Sequence, residues 1–266
     1  MNYLLNNLQV NDKGTLGLKS RALPAAEQFL LARYFMHRTV YYHKTTMAFE
    51  ESCRQLIRRI RNRGQFNEEG EKYGLPKSGE EINDIASTEK LYLFDDSYID
   101  NLITRASEDP QDEIKFLAKT ILNREPPKLL KEICDLYKTD EEESLKGKFF
   151  KEICKLQLKN LATKYNIPLG MFLYCETHPL RIESRSGIMS SKEAKKMPSE
   201  EADESIQIFP RNSTEPKSIV DLPNSIIKQM SGLKYQYIRL YVVKHPTLTN
   251  ADLTEIQTTV QGWGPT

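Results

Sequence analysis

Apolar positions along this chain fall into two kinds of pattern. From Pro24 onward they recur at helical spacing, through Phe29, Leu30, Phe35, Met36, Val40, Met47, Phe49, Leu56, Ile57 and Ile60. That period predicts one long helix over about residues 24–63, opened by Pro24 and closed by Gly64. Ahead of it, two apolar runs flank Asn11-Asp12-Lys13-Gly14, which predicts a hairpin or a helix-turn over residues 3–18. Residues 64–82 are polar and glycine-rich and read as a loop. Ser87 caps the next predicted helix, with Thr88 and Glu89 in its first turn. DDSYIDNLITRA starts another at Asp96 or Ser97, and DPQDEIKFLAKTILNRE a third, which Pro126-Pro127 stops. KLLKEICDLY and FFKEICKLQLKNLATKY read as two further amphipathic helices, joined by the acidic and mobile linker TDEEESLKGK.

Near Ile167 the period changes. GMFLYCET alternates and is rich in β-formers, so a strand is predicted. SKEAKKMPSEEADES is a charged loop expected to be disordered. SIQIFP reads as a short strand, LPNSIIKQMSG as a helix with Gly232 at its C-cap, and YQYIRLYVV as a strand. Tyr235, Tyr237, Arg239, Tyr241 and Val243 share one face of that strand. The tail TNADLTEIQTTVQGWGPT predicts a short, fraying helix. The expected fold class is α+β: a helical part over 1–165, then a small lobe over 166–266 with an antiparallel sheet and helices.

Composition narrows the function classes. The chain has 266 residues, 39% of them hydrophobic, enough for one large domain or two small ones. Its net charge is +1, which does not favour general binding to nucleic acid and leaves only a local basic patch for it. Such a patch exists in RQLIRRIRNR, where Arg54, Arg58 and Arg61 share a helix face. The same arginines also suit a solvated helix end, where cations complement the dipole. Cys53, Cys134, Cys154 and Cys175 show no CxxC spacing and read as small buried hydrophobes in a reducing compartment. The start of the chain lacks a signal-peptide pattern, and no apolar run approaches a membrane span, so a soluble, cytoplasmic protein is expected. P-loop, GxGxxG and GxSxG motifs are absent from the sequence. Asp95-Asp96 and Glu141-Glu142-Glu143 read as a cap and an acidic loop rather than as metal ligands.

The chemistry concentrates in ARYFMHRTVYYHKT, residues 32–45, which holds two of the chain's four histidines. On a continuous helix, Arg33, Tyr34, His37, Tyr41 and Lys44 fall within about one quadrant. Guanidinium and ammonium groups bind phosphate oxygens, and tyrosine stacks on a base. Lys19 and Arg21 precede the helix N-terminus, where anions are also favoured. The other reading is packing: Arg33 paired with Glu27, half-buried tyrosines with wet hydroxyls, and satisfied core histidines.

FLLARYFMHRTVYYHKT resembles the signature helix of the HD-domain deoxynucleoside triphosphate triphosphohydrolase family, through Arg33, His37-Arg38, Val40-Tyr41 and His43-Lys44. LYLFDDSYIDNLI, AKTILNREPPKLLKEI, GMFLYCETHPLRI and YIRLYVV resemble later segments of the same family. The resemblance implies substrate-binding roles: Arg33 reaching phosphate, and Tyr41 packing on sugar and base. It implies a regulatory nucleotide site at a subunit interface that uses His43, Lys44, Lys19 and Arg21, the last two with Lys and Arg exchanged. It also places Arg124 on a regulatory nucleotide. Thr39 and Tyr42 stand where the family's animal member has Arg and Gln, and Lys244 lies one place from the expected lysine.

The family's H…HD…D metal set is absent from the sequence, because the four histidines are followed by Arg38, Lys44, Pro179 and Pro246. About 20 residues precede the signature helix, too few for a helical metal domain. The resemblance thus implies a C-terminal half: a truncated product, a split-gene partner or a degenerate paralogue. It would have no catalytic or metal-ligating residue and no cofactor of its own, the divalent metal being held in the HD half. The implied partners are deoxynucleoside triphosphates, with a homo-oligomer or an HD-domain partner chain. The alternative is a stand-alone nucleotide- or nucleic-acid-binding or assembly module without hydrolase activity.

Overall fold

The computed structural model describes residues 2–63, 75–76, 78–87, 92, 95–138, 144–180, 206–211, 213–231 and 233–264. The fold class is α+β, as expected. The chain divides into two compact units: Met1–His43, Ile133–Lys148 and Glu176–Ile238 form unit 1, and Lys44–Glu132, Phe149–Cys175 and Arg239–Thr266 form unit 2. Each unit draws on segments from both sides of residue 165. No helix among the described residues is long and apolar enough to cross a membrane.

Unit 1 opens with a short helix α1 (Asn2–Leu5) and the hairpin β1 (Leu8–Val10) and β2 (Leu16–Lys19). Asn11 builds the turn: its Oδ1 accepts from the Lys13 and Thr15 amides at 3.1 and 2.8 Å. Gly14 supplies the positive φ, +79°. Of the two sequence readings for this segment, the hairpin forms. A 3-10 turn over Ser20–Ala22 leads into α2 (Leu23–Met36). Leu23, Ala26 and Leu30 pack there against Leu18, Ile208, Ile219, Leu222 and Ile227. Glu27 is buried on the same helix and accepts the Ile226 amide at 2.8 Å.

The predicted single helix over 24–63 is interrupted. After α2 comes a π-helical turn over His37–Tyr41, closed by the Tyr42 amide on the His37 carbonyl at 2.9 Å. Thr39 adds a bond from its hydroxyl to the Phe35 carbonyl, at 2.8 Å, a contact that bends helices. A new helix, α3 (Lys44–Arg63), then starts in unit 2. The apolar period runs through the break, so the pattern alone cannot see it. Gly64, the expected cap, lies outside the described residues.

In unit 2, α3 packs against a later helix, α6 (Asp112–Leu122), with Leu56, Ile60, Ile114 and Leu117 buried. Two helices come between them: α4 (Gly79–Ser87) and α5 (Asp96–Ala106). Ser87 is the last residue of α4, Thr88 and Glu89 of the predicted next helix lie outside the described residues, and residues 79–82 are helix rather than loop. Asp95, not Asp96 or Ser97, caps α5, accepting the Tyr98 amide at 2.9 Å.

KLLKEICDLY is the largest correction, because Lys128–Lys138 is a strand, β3. Leu129, Leu130, Ile133, Leu136 and Tyr137 sit at helical spacing, which drove the helical reading. The burial alternates instead: Lys131, Ile133 and Tyr137 point inward, and Glu132, Cys134 and Leu136 outward.

The remaining elements are α7 (Leu145–Lys164), β4 (Phe172–Glu176), β5 (Gln207–Phe209), β6 (Lys217–Ser218), α8 (Ile226–Met230), β7 (Leu233–Val242) and α9 (Asn250–Gln261). α7 takes in the LKGK end of the predicted linker, while residues 139–143 lie outside the described residues. The charged stretch of residues 191–205 and the proposed C-cap Gly232 also lie outside them.

One sheet has the order β1–β2–β5–β6, the other β3–β7–β4. The first sheet is mixed rather than antiparallel, since β2 and β5 run parallel. Gly17 makes their approach possible: a Cβ there would stand 2.8 Å from the Gln207 carbonyl oxygen and from the Phe209 ring. The tail helix α9 is tied at both ends rather than frayed. Thr249 and Asp252 form a capping box at its start, and the buried Lys131 ammonium donates to the Gln261 and Trp263 carbonyls at 3.0 and 2.5 Å at its end.

The cysteines do not form one class. Cys154 and Cys175 are buried, Cys53 is half-buried and Cys134 is exposed. Burial pushes the Cys154 and Cys175 thiols up to about 12. In native protein at pH 8, a chromogenic disulfide reagent is expected to label Cys134 rapidly, and Cys154 and Cys175 only on unfolding. Labelling of Cys154 or Cys175 at the Cys134 rate would contradict the packing of α7 and β4.

Candidate functional site

The stretch around residues 32–45 is not the single quadrant that a continuous helix predicts. Arg33 is half-buried in the last turn of α2, and His37 opens the π turn. Tyr41 closes that turn with its ring 4.8 Å from the His37 ring and largely open to solvent. Burial and then the Arg33 charge push the His37 imidazole below its usual range. The Arg33 charge thus acts on the imidazole, whose ring is tilted by 41° against that of Tyr41.

Tyr34 leaves this group. Its ring meets Tyr235 edge-on at 6.2 Å and Phe35 at 5.6 Å, and burial raises its hydroxyl above the ordinary tyrosine range. Arg38 joins the same aromatic cluster, with its guanidinium carbon 4.6 Å over the Tyr235 ring. Hydrogen bonding to Tyr237, opposed by burial, holds Arg38 above the ordinary arginine range. Tyr42 donates its hydroxyl to the His178 carbonyl at 3.1 Å. The packing reading thus holds for Tyr34 and Tyr42, while the half-buried Arg33 and His37 and the exposed Tyr41 lie outside that aromatic cluster.

His43 is exposed at the end of unit 1, and Lys44 is exposed at the start of α3 in unit 2. The Lys44 carbonyl accepts the Tyr241 hydroxyl at 2.9 Å, which fixes the first turn of α3 and leaves the ammonium in solvent. Arg124 belongs to unit 2, exposed and at φ +54°, where it follows the last turn of α6.

Lys19 and Arg21 lie in unit 1 at the mouth of an open cleft of about 830 Å³. Ser20, Phe209, Pro210, Arg211, Ser213 and Thr214 also line it. Arg211 was not singled out from the sequence. It lies 190 positions after Arg21 (211 minus 21), and only the parallel pairing of β2 with β5 brings the two segments together.

Unit 2 has a second basic surface, formed by Arg54, Arg58 and Arg61 of α3 around Cys53 and Ile57. Arg54 is already paired there with the buried Glu51 at 2.5 Å. Among the described residues, no group of three or more His, Cys, Asp or Glu side chains is arranged to hold a metal ion.

Comparison with known proteins adds family context. Residues 1–71 match the HD associated region, a stretch that includes the hairpin, α2, the π turn and α3. The fold is shared with the crystal structure of a phosphohydrolase from Bacteroides thetaiotaomicron, at a TM-score of 0.57 and 18% identity, over 90% of this chain and 55% of that one. It is also shared with a hypothetical protein from Aquifex aeolicus, at a TM-score of 0.53 and 15% identity, over 97% of this chain and 50% of that one. The chain thus spans about half the length of these two structures. No curated protein matches it.

Proposed function

We propose, on the premise that this is an HD-superfamily-related chain, that it acts as the C-terminal regulatory and oligomerisation half of a deoxynucleoside triphosphate triphosphohydrolase. The observation that carries this reading is where the HD associated region falls. Residues 1–71 contain Lys19, Arg21, Arg33, Tyr41, His43 and Lys44, six of the seven positions that the family resemblance selects.

In this reading Arg33 holds substrate phosphate and Tyr41 packs on the nucleoside, its ring lying 4.8 Å from that of His37. Lys19, Arg21, His43, Lys44 and Arg124 contact a regulatory nucleotide. The parent reaction cleaves a deoxynucleoside triphosphate to deoxynucleoside and triphosphate. A divalent metal would supply its chemistry from the HD half, so no hydrolytic step is assigned to this chain. The apolar residues Phe29, Met36 and Val40 of α2 and the π turn are exposed, which supports an assembly role for this helix. The cell compartment consistent with this role is the cytoplasm.

The test is isothermal titration of the pure chain with dGTP, dATP, GTP and ATP in Mg²⁺, alone and with an HD-domain half supplied. Arg33→Ala is expected to weaken nucleotide binding at least about tenfold, the loss of a charge-assisted hydrogen bond. Lys44→Ala tests the regulatory contact in the same way. The chain alone is expected not to hydrolyse these nucleotides. Metal-dependent hydrolysis by the pure chain would overturn the division of labour. Absence of binding in both arms would overturn the nucleotide role.

A further inference from the structure

β2 and β5 lie side by side and parallel, with Leu18 opposite Ile208 and Lys19 opposite Phe209. Parallel strands deliver their C-terminal ends to the same edge, and ligands bind outside such ends in open α/β sheets. Here Lys19, Ser20 and Arg21 leave β2 where Pro210 and Arg211 leave β5, and together they line the open cleft of unit 1. Three cations, Lys19, Arg21 and Arg211, share this cleft, and no carboxylate among the described residues lines it. The chain has 38 Lys and Arg against 37 Asp and Glu, acids enough to pair nearly every cation. Yet the side chains of Lys19 and Arg211 have no ion-pair or hydrogen-bond partner among the described residues.

Arg21 directs its Nε–H to Asn7 Oδ1 at 2.5 Å, which steadies the guanidinium and leaves its two terminal nitrogens for a ligand. The nearest acid in sequence to the Arg211 turn, Glu215, is neutralised by Lys13 at 2.6 Å. The turn itself is closed by the Ser213 amide on the Pro210 carbonyl at 3.2 Å. Among the described residues, Phe209 is the one aromatic residue lining the cleft and is buried, so none of them offers a ring for a base to stack on.

We infer that this cleft binds an oligophosphate chain through Lys19, Arg21 and Arg211, reading charge rather than base, with Arg211 as its third anchoring cation. Ser20 and Thr214 supply hydroxyl donors at its margin. The inference rests on the nucleotide reading above for its ligand class. Its ligand is either the phosphate tail of a nucleotide or free triphosphate, and the two share the same anionic chain.

The experiment titrates the full chain in low salt with inorganic triphosphate, orthophosphate, dATP and dGTP. It compares the wild type with Arg211→Ala, with Lys19→Ala/Arg21→Ala and with Arg33→Ala, and records a thermal melt of each. Triphosphate is expected to bind, with orthophosphate at least about tenfold weaker because it spans fewer cations. Arg211→Ala is expected to weaken triphosphate binding about tenfold with an unchanged melt, since its exposed side chain holds nothing else. Arg33→Ala is expected to leave triphosphate binding unchanged. If dATP and dGTP bind no tighter than triphosphate, the charged chain is the whole determinant.

Three outcomes overturn the inference: no triphosphate binding by folded wild type, wild-type affinity in Arg211→Ala, or nucleotides binding Arg33→Ala more than tenfold tighter than triphosphate with a preference between bases. A triphosphate affinity lost in Arg33→Ala and kept in Arg211→Ala also overturns it, and leaves the proposed function standing. Nucleotide binding that falls in Arg33→Ala to the level of triphosphate, with triphosphate binding intact, separates the two sites.

Discussion

Phe150→Ala is expected to lower the stability of unit 2 by about 3–5 kcal/mol, the cost of emptying a large aromatic site in a closed core. Phe150 is fully buried on α7, with its ring centroid 6.2 Å from that of Tyr174. The Lys131 ammonium lies 5.8 Å from the same ring on its way to the carbonyls that end α9. Removing the ring thus leaves a cavity and also withdraws the apolar wall along which Lys131 reaches the helix terminus. Thermal unfolding followed by circular dichroism is expected to show a midpoint lower by on the order of 10 °C. A change within about 1 °C would mean that α7 does not close this core. Phe150→Leu is expected to recover much of the loss, because most of the volume returns.

Glu132→Ala is the second large effect, at about 2–3 kcal/mol. Arg239 is buried on β7, and its Nε–H donates to Glu132 Oε2 on β3 at 2.6 Å. Removing the acid deprives a buried guanidinium of this carboxylate, and breaking a fully buried pair costs about 3–5 kcal/mol. The figure is discounted here because the Glu132 side chain is 37% exposed and solvent can enter in its place. The double replacement Glu132→Leu/Arg239→Leu is expected to be more stable than Glu132→Ala, since it removes the stranded charge together with its partner. Chemical denaturation of the three proteins measures this directly. A double variant no more stable than Glu132→Ala would show that the pair contributes packing rather than charge neutralisation.

Both effects depend on strands that differed in how easily they could be read. YQYIRLYVV is legible because β-branched and aromatic residues dominate it. KLLKEICDLY is not, because its leucines and isoleucine sit at helical spacing and its two lysines and its glutamate are good helix formers. Pairing with β7 overrides that local preference, and the inward Lys131 is tolerated because its ammonium finds carbonyls. The candidate site divides in the same way. Arg33, His37 and Tyr41 are near neighbours in sequence, so their grouping survives the change from one helix to a helix and a π turn. Tyr34 and Arg38 lie in the same short stretch but are drawn to Tyr235, nearly 200 positions away (235 minus 38 is 197).

Local chemistry settled the hairpin turn at Asn11 and Gly14, the helical runs of α5, α6 and α7, and the clustering of cations and rings near residue 40, because each depends on residues within a few turns of one another. Three features needed contacts across long stretches of chain, which no local period encodes. These are the strand identity of β3, the break between α2 and α3, and the meeting of Lys19 and Arg21 with Arg211 at the ends of two parallel strands. For β3, a pairing partner far away in sequence outweighed a local preference worth only a few tenths of a kcal/mol per residue.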